Sequence, residues 1–141
     1  AVNAISAAVG DTDCHIEQFF DDGSKAPGTI TAIDNHAPNI ERLRAEVTER
    51  GLGERIHPLV ADIGTPEHEP ASFDLIWSEG AIYNMGFANG IKAWRRFLKP
   101  GGVLAVSELT WTTCERPAEL EEYWIKEYPE VGTASAKISL L

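Results

Sequence analysis

The sequence is poor in cysteine and in positive charge, and both shortages exclude classes of protein. Its two cysteines, Cys14 and Cys114, lack the spacing of a disulfide framework or a zinc site. Lys and Arg number 12 against 22 Asp and Glu, which gives a net charge of −10 and argues against a nucleic-acid partner, because phosphate backbones require clustered cations. No apolar run reaches about 18 residues, so neither a transmembrane helix nor a membrane partner is expected.

The remaining composition is typical of one globular domain. A chain of 141 residues can bury a single sizeable core, and a hydrophobic share of 43% is ordinary for such a chain. The apolar first nine residues lack the basic start and the cleavage site of a signal peptide, and the cysteine usage fits a reducing compartment. We therefore predict one domain over residues 1–141 and a cytoplasmic location.

Short strand-like runs alternate with helical runs, which predicts an α/β fold: a doubly wound, mostly parallel sheet between two layers of helices. Strands are predicted at residues 4–9, 29–33, 55–60, 73–77 and 103–106. Helices are predicted at residues 13–20, 35–51, 89–98 and 117–128, with one more starting at 134. Pro58 indicates that the third strand lies at an edge, and residues 99–102 (KPGG) predict a break before the last strand.

Polar residues cluster just after the predicted strands. Ligands of doubly wound sheets bind outside the carboxyl ends of the strands, where the strand order reverses. This rule selects residues 10–13, 34–36, 62–63, 78–83 and Glu108. Asp34 and Asp62 follow two neighbouring strands, so we expect their carboxylates to converge on one ligand crevice. The alternative for each is a carboxylate that only caps the following turn.

Four segments in this order resemble class I S-adenosylmethionine-dependent methyltransferases, particularly the small-molecule branch related to the type 11 and ubiquinone-biosynthesis-like enzymes. They are TAIDNH (31–36), VADI (60–63), FDLIWSEGAIYNMG (73–86) and FLKPGGVLAVSE (97–108). SEGAIYN together with ERPAELEEYW (115–124) also resembles a subgroup of bacterial methyltransferases whose acceptors are generally unassigned. The resemblance spans roughly residues 29–135. It implies a Rossmann-like fold, the cofactor S-adenosylmethionine and a small-molecule methyl acceptor.

The resemblance also implies a role for individual residues. Asp34 would hold both ribose hydroxyls, which suits a carboxylate because it can accept two hydrogen bonds from a vicinal diol. Asp62 would accept from the adenine amino group, with Ile63 against the ring face. Asn35 and His36 would line the adenosine pocket. Ser78, Glu79 and Gly80 would form the loop beside the methionine part of the cofactor and the acceptor.

Both ends of the chain depart from this family. Gly10 is the best candidate for the glycine-rich cofactor loop, 24 residues before Asp34, but Asp11 and Asp13 stand where later glycines are expected. These carboxylates would crowd the cofactor and repel its methionine carboxylate, which would make the first βα unit degenerate. Alternatively, a segment has been lost and residues 1–28 join across the gap. Family members continue past the position of Leu141 with a helix and two strands. We therefore expect a fragment that lacks the last strands, or a homodimer that covers the fifth strand.

Methyl transfer relies mainly on alignment, and it needs a base only when the acceptor loses a proton. Glu79 is the first candidate for that base, followed by Tyr83 and Glu108. Tyr83 and Trp111, near strand ends, are candidates for an acceptor pocket, although the four tryptophans are expected mostly in the core. The histidines lack ligand spacing, so no metal site is predicted.

Two rival interpretations remain. The first is a catalytically inactive methyltransferase-like scaffold or binding protein, which Asp11 and Asp13 favour. The second is a nicotinamide-dinucleotide domain, because an acid after the second strand also fits ribose binding there. The missing GxGxxG motif and the acid after the third strand argue against this second rival.

Overall fold

Strands and helices alternate along the chain. The computed structural model describes residues 2–8, 28–65 and 67–141. Its strands are β1 (Val2–Ala8), β2 (Gly28–Asp34), β3 (Ile56–Val60), β4 (Phe73–Glu79), β5 (Leu98–Val106), β6 (Thr110–Trp111) and β7 (Gly132–Thr133). Its α-helices are α1 (Ala37–Glu49), α2 (Phe87–Arg95), α3 (Ala118–Glu127) and α4 (Ala134–Ile138), and Ile82–Met85 form a 3₁₀ turn. The helix predicted at residues 13–20 lies outside the described residues.

The five long strands form one parallel sheet in the order β3-β2-β1-β4-β5. The chain moves outward from β1 to β3 and then returns to the other side of β1 with β4, so the strand order reverses between β1 and β4. This arrangement confirms the predicted doubly wound sheet, with β3 and its Pro58 at an edge. The carboxyl ends of all five strands consequently lie at the same edge of the sheet.

Apolar side chains cover both faces of the sheet, as the near-continuous apolar strands predict. On β2, Ile33 belongs to a core cluster with residues of β4 and α2, whereas the adjacent Ala32 belongs to a second cluster with residues of α1 and β3. Successive residues of a strand point to opposite faces, so these clusters are the two sides of a three-layer α/β/α arrangement. In α1 the predicted stripe is buried in full: Ile40, Leu43 and Val47.

The helix before β5 is shifted from its predicted position. α2 begins at Phe87, two residues earlier than predicted, because Gly86 turns the chain with a φ of 82° directly before it. Gly90 lies against the 3₁₀ turn, and a Cβ atom there would come within 2.4 Å of Ile82 Cγ1. The close packing of helix and turn therefore needs a glycine at this position.

The break predicted at residues 99–102 is instead part of β5. Phe73 pairs with Leu98 and Leu75 pairs with Val103, so an irregular register lets several extra residues of β5 lie opposite one residue of β4. Gly101 has a φ of 81°, which an L side chain rarely adopts. Proline and glycine here belong to a bulged strand rather than to a loop. The composition of the segment alone does not distinguish these two structures.

The last part of the described chain packs beside the carboxyl ends of the strands. β6 and β7 form a short parallel pair that the sequence did not predict, and they flank the predicted helix α3. The helix predicted to start at residue 134 is confirmed as the short α4. Trp94 is the one tryptophan of the predicted core that is fully buried; Trp77, Trp111 and Trp124 are only half-buried. In the described part of the chain, no helix has the length and apolar character needed to span a membrane.

His68 is part of the packing and has no sign of a ligand role. Its ring meets Phe73 edge-on, with centroids 5.1 Å apart, and approaches Phe97 in the same way. Its Nε2 atom is buried and has no hydrogen-bond partner among the described residues. Burial therefore lowers the pKa of His68 below its ordinary value of 6.5, because it disfavours the charged imidazolium.

This packing predicts that acid destabilises the fold through His68. A lowered folded-state pKa gives stability that is present above pH 6.5 and is lost as the pH falls through the folded value. We expect the free energy of urea unfolding to decrease between about pH 7 and about pH 5, and less so in His68→Phe. His57→Phe, at an exposed position, is the matched control and should keep the acid sensitivity of the unsubstituted protein. If His68→Phe lost as much stability in acid as the unsubstituted protein, this account would be contradicted.

Candidate functional site

Asp34 is the last residue of β2 and is held in a fixed orientation. Only 3% of the residue is exposed. Its Oδ1 atom accepts a hydrogen bond of 2.8 Å from the backbone N–H of His36, and its Oδ2 atom accepts one of 2.9 Å from Asn39 Nδ2. Each carboxylate oxygen can accept a second hydrogen bond, so capacity for a ligand hydroxyl remains at both atoms. Asn39 is a partner that the sequence analysis missed, although its position five residues after Asp34 puts it in the first turn of α1.

Asp62 repeats this backbone arrangement after the neighbouring strand. Its Oδ1 atom accepts a hydrogen bond of 2.8 Å from the backbone N–H of Gly64, again two residues further on. The loop is tied to α2 by Trp94, whose indole N–H donates to the carbonyl of Ile63 at 2.8 Å. Ile63 is half-buried against the core cluster of β4 and α2. The loop after β3 is therefore anchored from two sides.

The two acids lie at the ends of paired strands. Asp34 is in register with Val60, and its carbonyl accepts a hydrogen bond of 3.1 Å from Ala61, the residue before Asp62. Both carboxylates cap a turn, which is the alternative that the sequence left open, but each is also placed at the ligand-binding edge of the sheet. The same geometry thus accommodates a capping role and the predicted ligand contact, which stays a prediction.

The other residues predicted at the adenosine side are only partly accounted for. Asn35 and His36 are exposed beside Asp34, where a ligand can reach them. Gly10, together with Asp11 and Asp13, lies outside the described residues. The contacts predicted for all of these residues stay predictions.

The turn after β4 continues this edge toward β5. Ser78 is fully buried, with no partner for its hydroxyl among the described residues, whereas Glu79 is half-buried. Gly80 turns the chain with a φ of 58°, and its N–H donates to Ser107 Oγ at 2.9 Å. This bond joins the loops after β4 and β5, and Tyr83 follows on the 3₁₀ turn.

A cavity of about 430 Å³ lies beside this turn. Its walls are mainly aromatic and carry two carboxylates; the residues that define them are Tyr83, Tyr123, Trp124, Tyr128, Glu108 and Glu127. Tyr83 is among the lining residues, whereas Trp111 is not and packs instead under the guanidinium of Arg116, 4.5 Å from the ring centroid. The acceptor pocket predicted for these two residues stays a prediction.

Glu108 and Lys137 form a buried ion pair at this cavity. Their side chains are 6% and 7% exposed, and Lys137 Nζ lies 3.3 Å from Glu108 Oε1. Lys137 also donates a hydrogen bond of 2.9 Å to the hydroxyl of Tyr128 and lies over the rings of Tyr128 and Phe87. Both carboxylate oxygens of Glu108 are shielded from solvent. The sequence analysis missed Lys137 and Tyr128, because no local pattern marks a lysine that will be buried.

Burial and the surrounding acids keep Tyr128 protonated. Burial raises the pKa of Tyr128 above its ordinary value of 10.0, and the carboxylates of Glu108 and Glu130 raise it further. The neutral phenol is consequently the form that faces the cavity at physiological pH.

Glu130 connects the end of the chain to the sheet. Its Oε2 atom accepts hydrogen bonds from the backbone N–H groups of Phe87, at 2.8 Å, and of Ala88, at 3.5 Å. These are the first two residues of α2, where free N–H groups and the helix dipole favour a negative charge. Glu130 therefore holds the segment that carries Tyr128 and Lys137 against the cavity.

No three His, Cys, Asp or Glu side chains gather in a metal-binding cluster within residues 28–65 and 67–141. The chemistry of the described edge is instead that of hydrogen-bond acceptors on one side and an aromatic, acidic cavity on the other.

Comparison with known proteins agrees with this architecture. A family model described as a methyltransferase domain matches residues 15–102. Among solved structures, the chain is similar to the (4+2)-cyclase SpnF, with a TM-score of 0.77 and 20% identity over 100% of this chain and 50% of that one. It is similar to geranyl diphosphate C-methyltransferase from Streptomyces coelicolor A3(2), with a TM-score of 0.74 and 10% identity over 99% and 52% of the two chains.

A third similar structure is phosphoethanolamine N-methyltransferase 2 of Haemonchus contortus, with a TM-score of 0.75 and 19% identity over 99% of this chain and 32% of that one. Identities this low establish a shared fold and nothing finer. The chain spans about half the length of the first two solved structures that it matches.

The contribution of the hydrogen bonds between Glu130 and α2 to stability can be tested by substitution. We expect Glu130→Ala to lower the free energy of unfolding by about 0.5–2 kcal/mol, the range seen when a helix N-terminus loses its capping acceptor. Urea denaturation followed by circular dichroism measures this. Glu122→Ala removes the same charge from an exposed position on α3 and should have less effect. Equal losses in both variants would mean that the capping bonds contribute nothing.

Proposed function

The chain belongs to the methyltransferase-domain family, and from this premise we propose that it binds S-adenosylmethionine and transfers a methyl group to a small-molecule acceptor. The observation that carries the proposal is the pair of oriented carboxylates, Asp34 and Asp62, at the ends of adjacent strands. They lie at the edge where doubly wound sheets bind nucleotides.

The described residues fit an adenosine group. Asp34 keeps acceptor capacity at both oxygens after its bonds to His36 and Asn39, which is what two vicinal ribose hydroxyls require. Asp62 would accept from the adenine amino group, with Ile63 beside the ring, and the exposed Asn35 and His36 would line the pocket. Gly10 and Ser78 remain proposed contacts on the methionine side.

S-adenosylmethionine, when bound, supplies a methyl group on a sulfonium that is already activated for in-line displacement. The task of the chain is therefore to align the acceptor and exclude water. If the acceptor attacks from an O–H or N–H group, its proton must leave as the new bond forms. Glu79, the last residue of β4, is the proposed base, and Tyr83, on the 3₁₀ turn that follows, is the next candidate.

Solved relatives support the choice of cofactor and of reaction class. One geranyl diphosphate methyltransferase structure is a complex with S-adenosylmethionine, and another contains S-adenosyl-L-homocysteine. The Haemonchus enzyme is a complex with S-adenosylhomocysteine and phosphomonomethylethanolamine. The acceptors of these enzymes differ from one another, so they support methyl transfer without indicating which acceptor this chain uses.

A catalytically inactive scaffold or binding protein is the second candidate. The sequence Gly10-Asp11-Thr12-Asp13 favours it, because two carboxylates in a cofactor loop would repel the methionine carboxylate. The similarity to SpnF, which is described as a cyclase, supports the view that this fold also serves other tasks.

Binding of S-adenosylhomocysteine separates the two candidates. We expect isothermal titration calorimetry to give a dissociation constant in the micromolar range. Asp34→Asn should weaken binding about ten-fold or more, because a hydrogen bond to a charged group contributes about 1.5–3 kcal/mol. Asn39→Ala should weaken it less, since it removes only the group that orients Asp34.

Glu41→Gln is the matched control, because it removes an exposed carboxylate from α1, close in sequence to Asp34. It should leave the affinity unchanged, and thermal unfolding of each variant checks that the fold persists. No heat of binding at millimolar ligand in the unsubstituted protein would refute the proposal and favour the scaffold.

A further inference from the structure

The cavity beside β4 and β5 is walled by four aromatic rings that pack as two pairs. Tyr83 meets Tyr128 edge-on, with ring centroids 6.0 Å apart, and Tyr123 meets Trp124 in the same way at 5.3 Å. Tyr83 and Tyr123 stay exposed, and clustered apolar surface that is exposed often marks a binding site. The cavity therefore offers a surface that a ligand with a flat apolar body would cover.

The buried charges behind this wall cancel one another. Glu108 and Lys137 are almost fully buried and lie 3.3 Å apart, so their charges of −1 and +1 sum to zero. Both oxygens of Glu108 are sealed from solvent, and a ligand in the cavity therefore does not reach them. Tyr128 completes this face as a neutral phenol, because burial and the nearby carboxylate of Glu108 raise its pKa.

Lys137 already occupies the place at which a cation would be stabilised. Its Nζ atom lies 4.8 Å from the ring centroid of Tyr128 and 4.9 Å from that of Phe87, within the range of cation–π contacts. An ammonium brought into the cavity would lose water and meet this first cation, while Glu108 is paired and out of reach. Among the described residues that line the cavity, the other charged one is Glu127, whose attraction for a cation is weakened by its exposure to water.

The size of the cavity and one wall hydroxyl define the rest of the ligand. A volume of about 430 Å³ is within the range of small-molecule sites, which combine apolar walls with a few polar groups. Ser107 supplies such a group at the wall. Its Oγ atom accepts a hydrogen bond of 2.9 Å from the N–H of Gly80, and a hydroxyl that accepts one bond can still donate one. An uncharged oxygen on the ligand is a suitable acceptor for that proton.

We propose that this cavity binds an uncharged molecule with a flat apolar body and a hydroxyl group, in preference to amines and acids of the same shape. Binding depends on the cavity alone, whereas the assignment of this molecule as the methyl acceptor rests on the proposed function. A neutral hydroxyl keeps an electron pair with which it can accept a methyl group. Glu108 and Lys137 do not touch the ligand; they make the inner wall neutral.

Three naphthalene probes with head groups of similar size test the selection by charge. 2-Naphthalenemethanol, 2-naphthalenemethylamine and 2-naphthoate are titrated separately against the protein at neutral pH, with binding followed by ligand-observed NMR. We expect the alcohol to bind about ten-fold more tightly than either charged probe, because a charged head group loses more on leaving water. An alcohol that binds no more tightly than the amine or the acid would overturn the proposal.

Substitutions on α3 locate the binding site. Tyr123→Ala removes a lining ring and should weaken binding of the alcohol about five-fold or more, whereas Tyr123→Phe keeps the ring and should bind like the unsubstituted protein. Ile125→Ala is the matched control, because Ile125 is an exposed apolar residue of the same helix that does not line the cavity. Both positions are exposed, so neither substitution should prevent folding. Equal affinities in Tyr123→Ala and Ile125→Ala would contradict the assigned site.

A second copy of the chain is the alternative occupant of these rings. Sedimentation velocity at two protein concentrations, with and without the alcohol, separates the two cases. A monomer that binds the alcohol supports the proposal. A dimer that binds none of the probes and dissociates in Tyr123→Ala would assign the rings to a contact between copies and refute it.

The calorimetric titration with S-adenosylhomocysteine distinguishes failure of this inference from failure of the proposed function. If the homocysteine ligand binds and the alcohol shows no advantage, the methyltransferase proposal stands and the selection of an uncharged ligand is refuted. If the alcohol shows its advantage and the homocysteine ligand does not bind, the selectivity of the cavity stands and its role as a methyl-acceptor site is refuted.

Discussion

The parallel pairing of β1 with both β2 and β4 is the constraint on which the candidate site depends. Ala7 is in register with Ile33 on one side and with Ser78 on the other, so the ends of β2 and β4 are brought to the two sides of one strand. Polar residues that are far apart in sequence then share one edge, because parallel strands present their carboxyl ends together. A shift of one residue in either ladder would turn the core-facing side chains of the strands away from their clusters.

Those parts of the fold that depend on local patterns could be predicted from the sequence. The apolar spacing of α1 predicts its buried stripe, and Pro58 predicts an edge strand. The placement of Asp34 and Asp62 at the carboxyl edge could be predicted without coordinates, because the sheet sets the position of a residue at the end of a parallel strand. One error occurred at residues 99–102, where proline and glycine allow both a break and a bulged strand and only the partner strand decides between them.

The cavity side of the edge could not be predicted in the same way, because it is built from contacts between distant parts of the chain. Glu130 caps a helix 43 residues before it, and Lys137 pairs with Glu108 in a cavity that neither residue defines alone. In sequence, Lys137 is one lysine in a short polar segment, and nothing near it indicates burial. Its role follows from the docking of the segment from Tyr128 to α4, and this docking depends on tertiary packing rather than on local preference.

The carboxylates in the two halves of the edge are held by different contacts. Asp34 and Asp62 are fixed by backbone donors before any ligand arrives, so little orientational freedom is lost when a ligand binds. Such preorganisation suits the binding of one rigid chemical group. Glu108 is instead sealed from solvent beside Lys137, so its charge is balanced inside the protein. The two kinds of acid therefore contribute differently: Asp34 and Asp62 keep acceptor capacity at the sheet edge, whereas Glu108 helps to hold the segment that carries Lys137 in place.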